Sequence, residues 1–331
     1  NLDTEACTNL LHFLAKCRIP DLVSFAGQIL RNGRWSLNLE IYDLFWLSFN
    51  QRAESFLLEK LNNLAPLDED PSNSDAWNEK IKIVNALGTC ASTEGGKAVL
   101  TFLQSENNVP ETIPFNVLIP LLKSDILTAS QLVAITKDVT IPVVGRCACI
   151  IALGIIDPSS YQGLYIDIIS KETDPIIIGY AVRMLGRTSD LSNLPLLQDL
   201  VKSHKASFVV GSAAIALAQL NSIESFPIIE QALLKLENQN NIFLFIEALR
   251  MLAQPSSGTF LIKALEDERL SSLQYNPKFV WALEAFCENE EVQTFLLSYL
   301  KIWRGPHISF GDQIPALEAL AKGAPAILIE N

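Results

Sequence analysis

The sequence has little of what most catalytic and metal sites are built from. Histidine occurs only three times in 331 residues, at His12, His204 and His307, which lie far apart in the chain. A glycine-rich phosphate loop, the nucleophile elbow of hydrolases and the paired histidines of a metalloprotease helix are all missing. The carboxylates that cluster do so in turn-rich stretches, where they stay solvated and ionised. We therefore predict no catalytic residue, no metal and no cofactor.

Glycine and proline are sparse as well, with 15 and 16 residues, and no stretch is of low complexity. This composition argues against a disordered chain. Positive charge is scarce, since 25 Lys and Arg face 37 Asp and Glu, for a formal net charge of −12. Such a surface repels phosphate backbones and anionic lipids, so we expect neither nucleic acid nor a membrane surface as a partner.

The six cysteines lie mostly within apolar, helix-like runs. They are Cys7, Cys17, Cys90, Cys147, Cys149 and Cys287. Cys147 and Cys149 are two residues apart, so on a helix they point about 200° away from each other and share neither a disulfide nor a metal. We expect buried free thiols, which are typical of a reducing compartment, and predict a cytoplasmic protein. The first residue is Asn, which we interpret as a trimmed start or as a fragment of a longer chain.

A short motif, Ala-Leu-Gly or a close variant, recurs at the ends of apolar helical runs at intervals of about 33 residues. The copies end at Gly88, Gly154, Gly186, Ala218, Ala253, Cys287 and Ala321. The first two copies are two periods apart, and the copy expected between them, near Leu121, is degenerate. An interval of this length is typical of stacked structural repeats, so the motif predicts a repeat array.

The positions that precede each final residue test the repeat more strictly. One residue back, every copy has a large apolar side chain: Leu87, Leu153, Leu185, Leu217, Leu252, Phe286 and Leu320. Four residues back the column is again apolar: Val84, Ile150, Val182, Ala214, Leu249, Leu283 and Leu317. Five residues back it is mostly small: Ile83, Cys149, Ala181, Ala213, Ala248, Ala282 and Ala316. This spacing is the apolar stripe of a helix, and an amphipathic segment precedes each copy, so the unit is a helical hairpin.

The best copy runs from Thr173 to Arg187, with Asp-Pro before the helix, Ala-Val-Arg within it and Leu-Gly at its end. This pattern resembles short bacterial HEAT-like repeats of the kind found in phycobilin lyases, over roughly residues 78–322 and weakly over the first 60. The resemblance implies an all-α fold, a right-handed α-solenoid (α/α superhelix) of about nine or ten hairpins. We predict one continuous solenoid, with weakly patterned N-terminal repeats at 1–63, an acidic insertion loop at 64–80 and the HEAT-like array at 81–331.

The positions six and three before each final residue, and one after it, lie on the other side of the motif-bearing helices, and we call them the outward face. Its candidate partner-binding residues are Tyr180, Arg183, Arg187, Glu247, Arg250, Trp281, Glu284 and Glu288. In HEAT-like arrays the second helix of each pair lines a concave groove, so the resemblance implies that these residues form a groove wall. We expect the wall to be basic and aromatic near Arg183, apolar at Ile151, Ile155 and Ile215, and acidic near Glu284. Arginine and aromatic side chains carry much of the binding energy in protein interfaces.

These features favour a non-enzymatic scaffold or adaptor that binds a protein partner along the groove. Two alternatives stay open. The resemblance implies a phycobilin lyase or a chaperone-like maturation factor, in which Arg183 or Arg187 would pair with the propionates of a linear tetrapyrrole. A bilin is a partner under that alternative alone. The second alternative is a sensor or interaction module of a larger multidomain regulator.

Overall fold

A computed structural model of the chain describes residues 51–63, 75–90, 92–107, 109, 112–236, 241–267, 270, 277–302, 317, 320 and 321. Every regular element in these ranges is helical, which confirms the all-α prediction. No helix in these ranges is both long and apolar enough to cross a membrane. The chain divides into two compact units, Asn1–Asp157 and Pro158–Asn331. The single continuous solenoid stays a prediction.

The described part of the first unit contains six α-helices and one π-helical turn. They are α1 (Gln51–Asn63), α2 (Asp75–Cys90), α3 (Thr93–Ser105), the π-helical turn Pro114–Leu118, α4 (Ile119–Lys123), α5 (Ala129–Lys137) and α6 (Val143–Ile156). Helix α2 packs against α1, α3 and α4, while α6 packs against α3, α4 and α5. The two motif-bearing helices, α2 and α6, thus share neighbours in one small core.

The predicted insertion loop at 64–80 is wrong at its C-terminal end, because α2 already begins at Asp75. The apolar contact of Trp77 explains the difference. Its ring stacks on that of Phe102 in α3, with the ring centroids 6.3 Å apart, and Trp77 is only 6% exposed. Burial of this aromatic residue stabilises a helical start in a polar stretch. Positions 64–74 lie outside the described residues.

The degenerate copy near Leu121 forms the shortest helices of the first unit. Pro114 and Pro120 lack a backbone N–H, so neither supplies the donor that continues a regular helix. The π-helical turn runs directly into α4, which ends after five residues. Asp125, with φ of 57°, then turns the chain away. Leu121 is nevertheless fully buried, so the apolar column continues through this copy.

The second unit is a succession of paired helices. They are α7 (Gln162–Lys171), α8 (Pro175–Gly186), α9 (Leu194–Ser203), α10 (Ser207–Gln219), α11 (Phe226–Leu234), α12 (Ile242–Leu252), α13 (Pro255–Ala264), α14 (Pro277–Ala282) and α15 (Glu290–Ile302). Short 3₁₀ turns at Ser159–Tyr161, Leu191–Asn193 and Ile223–Ser225 lead into α7, α9 and α11, and Leu283–Phe286 extends α14. Helix α8 packs on α10, α10 on α12 and α12 on α14. The odd-numbered helices pair likewise, α9 with α11 and α13 with α15. Helices two apart in sequence therefore lie side by side.

The three predicted apolar columns form the core of both units. In the column one residue back, all seven side chains from Leu87 to Leu320 are at most 5% exposed. In the other two columns every member from Ile83 to Leu283 is at most 1% exposed. These burials confirm the helical stripe for the described copies. Since burial of a large aliphatic side chain contributes about 1.5–3 kcal/mol, the columns supply much of the driving force for folding.

Polar side chains join one helix pair to the next in the second unit. Gln162 Nε2 donates to Asp190 Oδ2 at 2.7 Å, and Gln198 Nε2 donates to Ser225 Oγ at 2.9 Å. The donor and acceptor are 28 residues apart in the first bond and 27 in the second, so each bond links one helix pair to the next. The apolar columns gave no indication of these hydrogen bonds, because none of the four residues belongs to a column.

Candidate functional site

Helices α12 and α14 bring Arg250, Glu247 and Trp281 together. Glu247 and Arg250 are three residues apart, so they are neighbours on one helix face. Arg250 Nε donates to Glu247 Oε2 at 2.8 Å and Nη2 donates to Oε1 at 2.9 Å. The guanidinium Cζ lies 4.2 Å from the centroid of the Trp281 ring, a cation–π contact between neighbouring helices. Trp281 is still 40% exposed, so part of the indole is accessible to another molecule.

The charges around Arg250 make this end of the outward face acidic. The hydrogen bond to Glu247 raises the pKa of Arg250 above its ordinary value. The charges of Glu247 and Glu284 raise this pKa as well, whereas partial burial lowers it. The guanidinium is therefore permanently charged. One arginine faces two glutamates here, and the exposed Glu288 adds a further negative charge just beyond the 3₁₀ turn.

A second arginine–aromatic pair lies on α8. The Cζ atom of Arg183 is 5.9 Å from the centroid of the Tyr180 ring. Tyr180 packs edge-on against Phe208 of α10, with the centroids 5.7 Å apart. Arg187 directly follows α8 as its C-cap and is exposed. This end of the outward face therefore carries two positive charges. The candidate residues thus form two groups, a basic one on α8 and an acidic one around Arg250 on α12 and α14.

Helix α10 lies between the two groups, and here the prediction of an exposed apolar wall is wrong. Ile215 is only 4% exposed and Ser212 is fully buried. Ser212 lies against α8, since a Cβ added at Gly179 would be 3.1 Å from its Oγ. Helix α10 packs against both α8 and α12, and this part of it is left with little exposed surface. Ile151 and Ile155 of α6, in the first unit, are partly exposed.

Three buried polar atoms on α8 and α10 have no hydrogen-bond partner within the described ranges: Arg183 Nε, Ser212 Oγ and Gln219 Oε1. The first is a donor, the last is an acceptor and the hydroxyl can be either. A buried polar group without a partner costs about 1–3 kcal/mol. Gln219 Oε1 lies against α8, because a Cβ at Gly186 would be 2.5 Å from it. Sequence reasoning placed Ser212 and Gln219 on the outward face but did not select them, since neither is charged or aromatic.

In the described part of the chain, no group of three or more His, Cys, Asp or Glu side chains is placed to hold a metal ion. His204 caps the C-terminus of α9, whereas His12 and His307 lie outside the described residues. Cys147, Cys149 and Cys287 are buried free thiols, as expected for these three. Burial raises the pKa of the Cys149 thiol far above its ordinary value, and the neighbouring Cys147 adds to the shift.

The chain matches no protein-family model and no curated protein sequence. The resemblance to short HEAT-like repeats therefore rests on the repeat columns and on the Thr173–Arg187 copy alone.

Proposed function

We propose that the second unit binds an extended segment of a protein partner along the outward face of α8, α10, α12 and α14, and that the protein acts as a scaffold or adaptor. The observation that carries this proposal is the cluster of Glu247, Arg250 and Trp281, in which Trp281 remains 40% exposed beside the guanidinium. Arginine and tryptophan are among the residue types that carry most of the binding energy in protein interfaces.

The two arginine–aromatic pairs support the same function. Arg183 with Tyr180, and Arg250 with Trp281, lie on either side of α10 along the row of helices. Exposed arginine and aromatic side chains are the residue types that dominate interface energetics. Their charges also specify the partner. We expect an acidic residue where the segment meets Arg183 and Arg187, and a basic residue where it meets Glu284 and Glu288.

The proposal includes a right-handed α-solenoid of HEAT-like repeats as the scaffold. Its support is the packing of helices two apart in sequence and the hydrogen bonds that link neighbouring helix pairs, such as the bond from Asn241 to Ser207, 34 residues apart. The net charge of −12 argues against nucleic acid and anionic membranes as the partner. We also propose a cytoplasmic location, for which the three buried free thiols are the support.

The test is an affinity pull-down from an extract of the cells that produce the protein. The bait variant combines Tyr180→Ala, Arg183→Glu and Trp281→Ala. The matched control combines Ile166→Ala, Leu191→Ala and Ile223→Ala, three side chains that are 38%, 60% and 47% exposed and lie outside α8, α10, α12 and α14. We expect one set of proteins to bind the wild type and the control and to be lost from the bait variant. Retention of the same proteins by all three baits would refute the proposal.

A charge-reversal pair tests the orientation of the segment. Arg183→Glu is expected to weaken binding of the captured partner, and reversal of the acidic residue that it contacts is expected to restore it. Double-mutant analysis of the two changes measures the coupling between the two side chains. Independent, additive effects for every acidic residue of the partner segment would mean that Arg183 does not contact it.

A further inference from the structure

A cavity in the second unit gathers positive charge on a protein that is strongly acidic as a whole. Its volume is about 400 Å³, and it lies where the turn between α9 and α10 meets the end of α11. Three lysines, Lys202, Lys205 and Lys235, line it together with His204. None of these residues belongs to the outward face. The chain has 25 Lys and Arg in 331 residues, so three lysines around one cavity are a local reversal of the net charge.

The ordinary role of lysine at helix ends explains only part of this cluster. Lys202 lies in the last turn of α9 and Lys235 caps α11, where positive charge interacts favourably with the helix dipole. Lys205 does not fit that account, because it lies just before the N-terminus of α10, the positive end of that helix. An anion in the cavity would convert this unfavourable placement into a favourable one.

Neutral hydrogen-bond donors surround the same space. The Ala206 N–H donates to His204 Nδ1 at 3.1 Å, so in the neutral imidazole the proton is on Nε2, which is then a donor. Asn241 Nδ2 donates to Ser207 Oγ at 2.9 Å, and this leaves the hydroxyl hydrogen of Ser207 free to donate. Helix α10 has no side-chain cap at its N-terminus. The lysines, the imidazole and the hydroxyl are all donors, which a ligand rich in acceptor oxygens requires.

The rest of the lining is apolar. Val201, Val210, Ala232 and Leu236 complete the cavity. A bare inorganic anion would leave this surface in contact with water, whereas a ligand with a small carbon skeleton would cover it. The cavity volume lies within the range typical of small-molecule sites, about 300–1,000 Å³.

We propose that this cavity binds a phosphate monoester, with the phosphate on Lys202, Lys205, Lys235 and His204 and a small apolar group on the valine- and leucine-lined side. A phosphate monoester carries close to two negative charges and three acceptor oxygens, so it matches three ammonium groups and the neutral donors better than a single carboxylate does. The site is independent of the partner segment proposed for the outward face, with which it shares no residue.

Calorimetric titration of the full chain with phenyl phosphate tests the site. Inorganic phosphate and benzoate are the comparison probes, because one lacks the apolar group and the other lacks the second charge. We expect phenyl phosphate to bind more tightly than either, and its affinity to fall as salt is raised. The double variant Lys205→Gln, Lys235→Gln is expected to weaken it about tenfold or more, since two charge-assisted contacts are lost. Lys263→Gln, an exposed lysine of α13 that does not line the cavity, should leave it unchanged.

Chemical footprinting gives a second measurement that needs no variant. Acetylation of Lys202, Lys205 and Lys235, followed by peptide mass spectrometry, is expected to slow when phenyl phosphate is present, while acetylation of Lys263 continues at the same rate. A phosphotyrosine tetrapeptide in place of phenyl phosphate shows whether a phosphorylated protein side chain also enters the cavity. Equal binding of benzoate and phenyl phosphate, equal binding to the wild type and the double variant, or unchanged labelling of all four lysines would each overturn the proposal.

Discussion

Replacement of Gly186 by alanine adds one methyl group to a helix contact that has no space for it. Gly186 is the last residue of α8 and faces α10. A Cβ at this position would lie 2.5 Å from the Cα of Ala216 and 2.7 Å from its Cβ. Ordinary contact begins near 3.4 Å, so the two helices must move apart by close to 1 Å. The obstacle is backbone, which cannot rotate away as the end of a long side chain can.

The expected change in unfolding free energy follows from two opposing effects. Overpacking of a well-packed contact costs about 1–3 kcal/mol. Alanine in place of glycine in a helix contributes up to about 1 kcal/mol in the other direction. We therefore expect Gly186→Ala to destabilise the second unit by about 1–2 kcal/mol. The packing of α8 on α10 would weaken first, because each pair of helices depends mainly on its neighbours.

The same substitution at Gly163 is the matched control. Gly163 lies in α7, and a Cβ there would meet no other atom within 4 Å. Gly163→Ala is expected to stabilise by up to about 1 kcal/mol, because only the helix preference changes. Urea unfolding followed by far-UV circular dichroism measures both free energies, provided that the m-values agree. Equal stabilisation by the two substitutions would refute the close contact of α8 with α10.

Three further predictions rest on the same packing. Leu185→Ala, at a fully buried position, is expected to cost about 2–5 kcal/mol in urea unfolding, and a cost below about 1 kcal/mol would place Leu185 outside the core. Cys149 is expected to resist iodoacetamide in the native protein and to react in urea, because burial raises the pKa of its thiol; peptide mass spectrometry that finds native labelling would contradict this. Hydrogen bonds from Gln162 and Ser192 lower the pKa of Asp190, so the carboxylate stabilises the fold above its ordinary pKa of 3.8 and the stabilisation is lost as pH falls through the lowered value. Asp190→Asn is expected to flatten the loss of stability below about pH 4, and an unchanged pH profile would rule out this contribution.

The apolar columns could be predicted from the sequence because they depend only on the spacing of residues within one helix. Each column is a fixed spacing within one helix, and burial of leucine or valine needs no knowledge of the partner helix. The start of α2 at Asp75 could not be read in this way. It depends on the stacking of Trp77 on Phe102, a contact between two helices, in a stretch whose composition alone indicates a loop. Long-range contact overrides local propensity there.

The outward face shows the same division between local and long-range physics. Arg183, Glu247 and Arg250 lie on α8 and α12 as expected, since position along a helix determines which side a residue faces. Arg187 and Glu288 lie just beyond the helical segments. The exposed fraction of each side chain does not follow from position along the helix. Ile215 occupies the same place in its copy as Arg183 and Arg250 do in theirs, yet of the three only Ile215 is buried. The burial of Ile215 depends on how α10 packs against α8 and α12, which the spacing within one helix does not determine. Ser212 Oγ, which lies against Gly179 of α8, is likewise buried by a contact that no single repeat contains.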